Sequence, residues 1–158
     1  MTCLGTILLL MNGCSAPPND ELLSDEELSV VHSVIRSYSE KWIEMDSTGV
    51  LDLFTNDAVI SPSGLRPREG KQQLREFWFP NDGSVTEISS YEIEVLDAGG
   101  SGGLAYTREK GSLSFTYTLH DLVIDRSSTA YATTLYRRST DGSWKIFSRM
   151  WTDTRLDH

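Results

Sequence analysis

Beyond residue 14 this chain of 158 residues has no cysteine; Cys3 and Cys14 are the two it carries. Neither a disulfide nor a thiolate metal centre can therefore hold the body of the protein together. Positive charge is also scarce. Fourteen Lys and Arg against 23 Asp and Glu leave a formal net charge of −9. That balance argues against a nucleic-acid partner, because a polyanion is held by a basic stripe that displaces its counterions. Histidine occurs only at His32, His120 and His158, and no His, Cys, Asp or Glu spacing gathers three or four metal ligands. Gly99 to Gly103 reads as a loop, without the following helix and lysine of a phosphate cradle. No cofactor is expected. The apolar run from Leu4 to Met11 is too short to cross a bilayer as a helix.

What is present is enough for one domain. A chain of this length buries roughly 70% of its unfolded surface on folding. Leu4 to Met11 suits the apolar region of a secretory signal. With Asn12-Gly13-Cys14-Ser15 after it, the segment resembles a bacterial lipoprotein signal, in which a small residue precedes the cysteine that is lipidated. The expected organisation is a signal over 1–14 and a flexible acidic linker over 15–26, carrying Pro17 and Pro18. A folded domain over 27–153 and a tail over 154–158 complete it. The expected location is the cell envelope, lipid-anchored through Cys14 or secreted, with the cytoplasm as the alternative. A membrane is met only through that anchor.

Leu28, Val31, Ile35, Tyr38, Trp42 and Met45 recur at spacings of three and four, one stripe of a first helix. Ser24 with Glu27 three residues on forms a capping box at its start. Val50 to Phe54 reads as a short second helix, Asp57 to Ser61 as a first strand, and Gly70 to Trp78 as a third helix. Tyr91, Ile93 and Val95 alternate with Glu92 and Glu94, and Leu113, Phe115, Tyr117 and Leu119 alternate with Ser114, Thr116 and Thr118. Both are half-buried strands. Two further β-rich runs flank Ser139-Thr140-Asp141-Gly142, a hairpin signal. In the last strand Trp144, Ile146 and Met150 fall on one face, Phe147 and Trp151 on the other. Such a strand must be covered on both sides.

Helix, short helix, strand, helix and a long antiparallel meander is the order of the cone-shaped nuclear-transport-factor-2-like (NTF2-like) fold. The expectation is α+β: a curved antiparallel sheet wrapped around a long N-terminal helix, with two shorter helices. Leu53-Phe54-Thr55-Asn56-Asp57-Ala58-Val59, and Gly70-Lys71 before Leu74-Arg75-Glu76-Phe77-Trp78, carry a closer likeness. With Arg137-Arg138 and Asp141-Gly142-Ser143-Trp144-Lys145-Ile146, residues 27–153 resemble the ketosteroid-isomerase-related, SnoaL-like group. The resemblance implies a conical pocket between sheet and helices, and self-association through the sheet as a homodimer. It does not imply one reaction, since a fold of this kind hosts many.

The isomerases use an aspartate base and an oxyanion hole made by a tyrosine and a protonated aspartic acid. Carried over residue by residue, the tyrosine falls on Tyr38, but the base is replaced by Ser61 before Pro62. Serine needs a base of its own to take a proton from carbon. The strand expected to supply the second acid, residues 129–136, has no carboxylate. The isomerase reaction is therefore not expected.

The leading reading is a protein that binds a small apolar or aromatic ligand against Tyr38, Trp42, Ser61, Trp78, Phe115 and Arg149. An aromatic-lined hollow is the default ligand site of such a domain. Arg149 either lines the pocket, where it would hold a carboxylate or enolate, or packs flat on an outer dimer surface. One alternative is an isomerase- or cyclase-type enzyme with Tyr38 as oxyanion donor; another is a structural dimerisation domain. His120, at the sheet rim, and Asp57, at a strand start, read most simply as surface and turn residues.

Overall fold

Ser24 and Glu27 close the capping box that their spacing predicts. Glu27 accepts from the Ser24 backbone N–H at 3.0 Å, and the Ser24 hydroxyl oxygen accepts from the Glu27 N–H at 3.3 Å. Together they satisfy two donors that a helix start otherwise leaves open. The structure is a computed structural model describing residues 21–154. The signal segment, Cys14, linker residues 15–20 and residues 155–158 lie outside the described residues.

Helix α1 (Asp25–Ile43) buries Val31, Ile35, Tyr38 and Trp42 along its predicted stripe. Met45 leaves that stripe: the chain turns there at φ 55° and the side chain is 42% exposed. Asp46 then caps α2 (Ser47–Asp52), accepting from the Gly49 N–H at 2.8 Å. This helix starts earlier than its apolar residues suggested, because the cap sets its first turn. Phe54, expected at its end, instead opens strand β1 (Phe54–Ser61). A two-residue strand β2 (Arg68–Glu69) leads into α3 (Gly70–Trp78).

The remaining strands are long: β3 (Val85–Ser101), β4 (Leu104–Leu119), β5 (Leu122–Arg138) and β6 (Trp144–Asp153). They form one curved six-stranded sheet in the order β2-β1-β6-β5-β4-β3. Only β1 and β6 run parallel; the other neighbours are antiparallel. The Asp141-Gly142 hairpin forms as expected, with Gly142 at φ 85°.

Two boundaries differ from the sequence reading. Gly99 to Gly103 is not a loop: β3 continues through Ser101, and only Gly102 and Gly103 turn. Nor is the linker free to its end. Leu22 bridges Ser101, and Leu23 donates to the Gly100 carbonyl at 3.0 Å. Gly100 permits this approach, since a Cβ there would lie 2.3 Å from the Leu104 carbonyl oxygen and 2.8 Å from Leu23. A run of glycines that looked like slack is a site of close backbone contact.

A third difference changes the site. Tyr136 pairs with Ile146 but Leu135 pairs with Ser148, so a β-bulge leaves Phe147 unmatched. One extra residue reverses the alternation that follows. Trp144 and Ile146 are buried before the bulge, and Arg149 is buried after it. Met150, expected on the face of Trp144 and Ile146, is turned outward and 49% exposed. The inward face of the strand shifts phase at the bulge, and Met150 joins the outward one.

Candidate functional site

Between α1, α3 and the concave side of the sheet lies a cavity of about 280 Å³. Small residues on its floor account for the space. On β4 Gly111 stands directly opposite Ala130 of β5, and Ala132 stands opposite Glu109. A Cβ at Gly111 would meet nothing closer than the Tyr91 ring at 3.6 Å. The hollow lies where Gly111, Ala130 and Ala132 leave space among the larger sheet side chains that line it, Tyr91, Leu113 and Phe115 among them.

The opposite wall is aromatic. Tyr38 meets Trp42 and Tyr91 edge-on, with ring centroids 6.2 and 5.9 Å apart. Trp42 meets Trp78 at 5.5 Å and 89°. Such edge-to-face pairs hold rings in defined orientations. The Trp42 indole N–H is buried without an acceptor among the described residues. Of the residues proposed from sequence, Tyr38, Trp42, Trp78, Phe115 and Arg149 line this one cavity. Ser61 does not. It lies on β1 beside Met150 of β6, next to the fully buried Ile60, away from the lining residues.

Arg149 anchors the chemistry of the wall. It is 4% exposed, its guanidinium carbon sits 4.9 Å from the centre of the Tyr38 ring, and Nη1 donates to Glu109 Oε2 at 2.5 Å. The same nitrogen donates to Thr134 Oγ1. The other Glu109 oxygen accepts from Thr107 Oγ1 at 2.5 Å, and Thr107 Oγ1 lies 2.9 Å from the Tyr136 hydroxyl. A hydroxyl has a single proton, and that of Thr107 goes to Glu109. Tyr136 must therefore donate to Thr107. The chain runs from Tyr136 through Thr107 to Glu109, then to Arg149 and Thr134, with all five residues buried.

Burial pushes the Tyr38 phenol well above its ordinary pKa, and the nearby Tyr91 adds to the rise. Tyr38 thus stays protonated and remains a donor throughout the pH range in which proteins work. Tyr136 is also raised, first by burial and then by the Glu109 charge. Burial by itself would lower the Arg149 pKa, but the Glu109 carboxylate reverses this and the net direction is upward. The guanidinium is charged.

Sequence reasoning missed the Glu109 network and expected a cavity without an acid. Glu109 is 1% exposed on β4, and Asp153 lines the cavity at the exposed end of β6. A signal existed. Stepping back by twos from Phe115 and Leu113 reaches Gly111, Glu109, Thr107 and Ala105 on the same face. Arg108 and Lys110, the neighbours of Glu109 in sequence, are exposed on the other face. His120 lies in the β4–β5 turn at φ 52°, and Asp57 pairs with Arg137 at 3.1 Å on the surface. Among the described residues no cluster of His, Cys, Asp and Glu could hold a metal ion.

Chemically, the wall offers hydrogen-bond donors to an occupant. The Nη1 of Arg149 carries both of its bonds, leaving Nε and Nη2 to serve an acceptor. Both oxygens of Glu109 are engaged. A carboxylate held in this way orients the arginine and is poorly placed to take a proton from a ligand.

Six curved strands around a long helix, with two shorter helices, define an α+β cone of the NTF2-like kind. A ketosteroid isomerase-like protein from Erwinia carotovora atroseptica superimposes with a TM-score of 0.68 at 23% identity, covering 84% of this chain and 100% of that one. An NTF2-like protein of unknown function from Pseudomonas putida gives 0.56 at 18%, covering 85% and 90%. A protein from Catenulispora acidiphila in complex with S-DNPA gives 0.58 at 17%, covering 82% and 95%. At these identities the likeness shows the fold alone. No protein-family model matches the chain, and no curated protein matches it.

Proposed function

We propose that this protein binds a small, ring-bearing ligand in the cavity between helix α1 and the sheet. The observation that carries the reading is an unfilled hollow with an aromatic wall and one buried, charged arginine facing it. Apolar cavities with a few fixed polar groups are the usual form of a small-molecule site. A structural neighbour solved in complex with S-DNPA is consistent with this use of the fold.

The enzyme alternative, with Tyr38 as oxyanion donor, retains its donor in this geometry, but Glu109 has both oxygens engaged and Asp153, the one acid lining the cavity among the described residues, stands at the exposed end of β6. Binding is therefore preferred to turnover. The anchor through Cys14 and the homodimer belong to the same proposal. For the dimer, Tyr131 and Met150 lie on the outward side of neighbouring strands β5 and β6, 51% and 49% exposed. They give that face an apolar centre on which a second copy could close.

Three of the four tryptophans, Trp42, Trp78 and Trp151, line the cavity, so intrinsic fluorescence reports its occupancy. Saturable quenching by small aromatic molecules is expected, weakened about two- to tenfold by Tyr38→Phe through loss of one hydrogen bond. A panel of such molecules that leaves the fluorescence unchanged would overturn the reading.

A further inference from the structure

An arginine on the wall of an aromatic cavity ordinarily announces a carboxylate ligand. Here its charge is already spoken for. Arg149 is the only basic residue lining the cavity among the described residues. Its partner Glu109 is a buried carboxylate 2.5 Å away, with 0% of its side chain exposed. Thr107 and Tyr136 hold Glu109 from behind, so it cannot swing aside when a ligand enters.

From this arrangement, and resting on the binding reading above, we infer that Glu109 sets the charge preference of the cavity. The occupant is an uncharged ring compound with a hydrogen-bond acceptor of the carbonyl type, and carboxylates are disfavoured. A ligand carboxylate at Arg149 would place two negative charges on one guanidinium that is itself buried. The site would then carry an uncompensated charge, and burying one is costly. Asp153 at the cavity's open end and the formal net charge of −9 act in the same direction. A neutral carbonyl avoids this cost. It accepts from the remaining guanidinium N–H groups or from the Tyr38 hydroxyl and adds no charge.

Three probes with one ring system isolate the effect: 2-acetylnaphthalene, naphthalene and 2-naphthoate, titrated at pH 7 against tryptophan fluorescence. The ketone should bind at least about tenfold more tightly than the naphthoate, the size expected where one ligand must bury an extra charge. Glu109→Gln keeps an oxygen for Arg149 and removes the negative charge. It should move the ketone-to-naphthoate ratio at least about tenfold towards the naphthoate. Equal binding of ketone and naphthoate by the natural protein, or a ratio unmoved by Glu109→Gln, overturns the inference and leaves the binding reading standing. Failure of all three probes overturns the binding reading itself, and this inference with it. Should Glu109→Gln not fold by circular dichroism, the double variant Glu109→Leu/Arg149→Met removes both charges together. It should still bind naphthalene, with the preference for the ketone over naphthalene reduced to what the Tyr38 hydroxyl alone supplies. A preference undiminished in the double variant overturns the inference.

Discussion

Gly111 is the residue on which the cavity depends most directly. Its neighbours along the inward side of β4, Glu109 and Leu113, have full side chains, and across the ladders it meets Ala130 of β5 and Ile93 of β3. Gly111→Ala should be tolerated, because its Cβ finds ordinary contact distances. Gly111→Leu should instead fill the hollow. The expected outcome is loss of aromatic quenching with secondary structure retained by circular dichroism. Unaltered quenching in Gly111→Leu would place the ligand elsewhere. Glu109 teaches a related lesson. Its charged neighbours Arg108 and Lys110 are exposed, yet the period-two pattern puts Glu109 inside. Tyr38, Trp42 and Trp78 were legible because aromatics on an amphipathic helix point to a core. Ser61 was carried over by position alone, and strand alternation turns it away from the cavity.

At the level of elements, the ends of helices and strands carry most of the specification. The α1 start shows this well. Glu27 accepts from the Ser24 N–H and also from Arg138 at the end of β5, tying the helix start to the sheet. The hydrogen bond from Arg138 is the main cause that lowers the Glu27 pKa, followed by the Ser24 backbone N–H. A carboxyl whose folded pKa is depressed adds stability that is fully present above its unfolded value. That stability is lost as pH falls through the folded value. Asp46, held by the Gly49 N–H at the start of α2, has the same sign. Melting temperature should therefore hold steady near neutral pH and decline below the ordinary carboxyl values of 4.5 for Glu and 3.8 for Asp. Glu27→Gln should flatten part of that decline, and an identical acid profile in the variant would assign the loss to other groups. The β6 bulge is the element that sequence could not reveal. An apolar pattern on both faces of a short strand fits a doubly covered strand as well as one whose phase slips at an extra residue.

Taken whole, the molecule has two distinct ends. The described chain begins at Glu21 and Leu22, beside the β3–β4 turn at Ser101 and Gly102. Thr86, Ser128 and Asp153 line the cavity towards the other end of the long strands. A lipid on Cys14 would tether the first end and leave the cavity opening away from the membrane. The expected outcome is that Cys14→Ser moves the protein from the membrane to the soluble fraction, where sedimentation reads the mass of two copies. Unchanged fractionation would remove the anchor from the proposal, and a single-copy mass would remove the dimer.

Apart from the cone, which the resemblance in element order implied, the sequence by itself determined the α+β class, the capped first helix with its aromatic stripe and the terminal hairpin. These follow from local periodicity, caps and turn residues, which act over a few positions. Tertiary structure alone decided that Arg149 faces inward, that Glu109 of another strand meets it, and that the cavity stays unfilled. Each depends on pairing register and on side chains brought together across the sheet, and a single bulged residue is enough to reverse which side of a strand is buried.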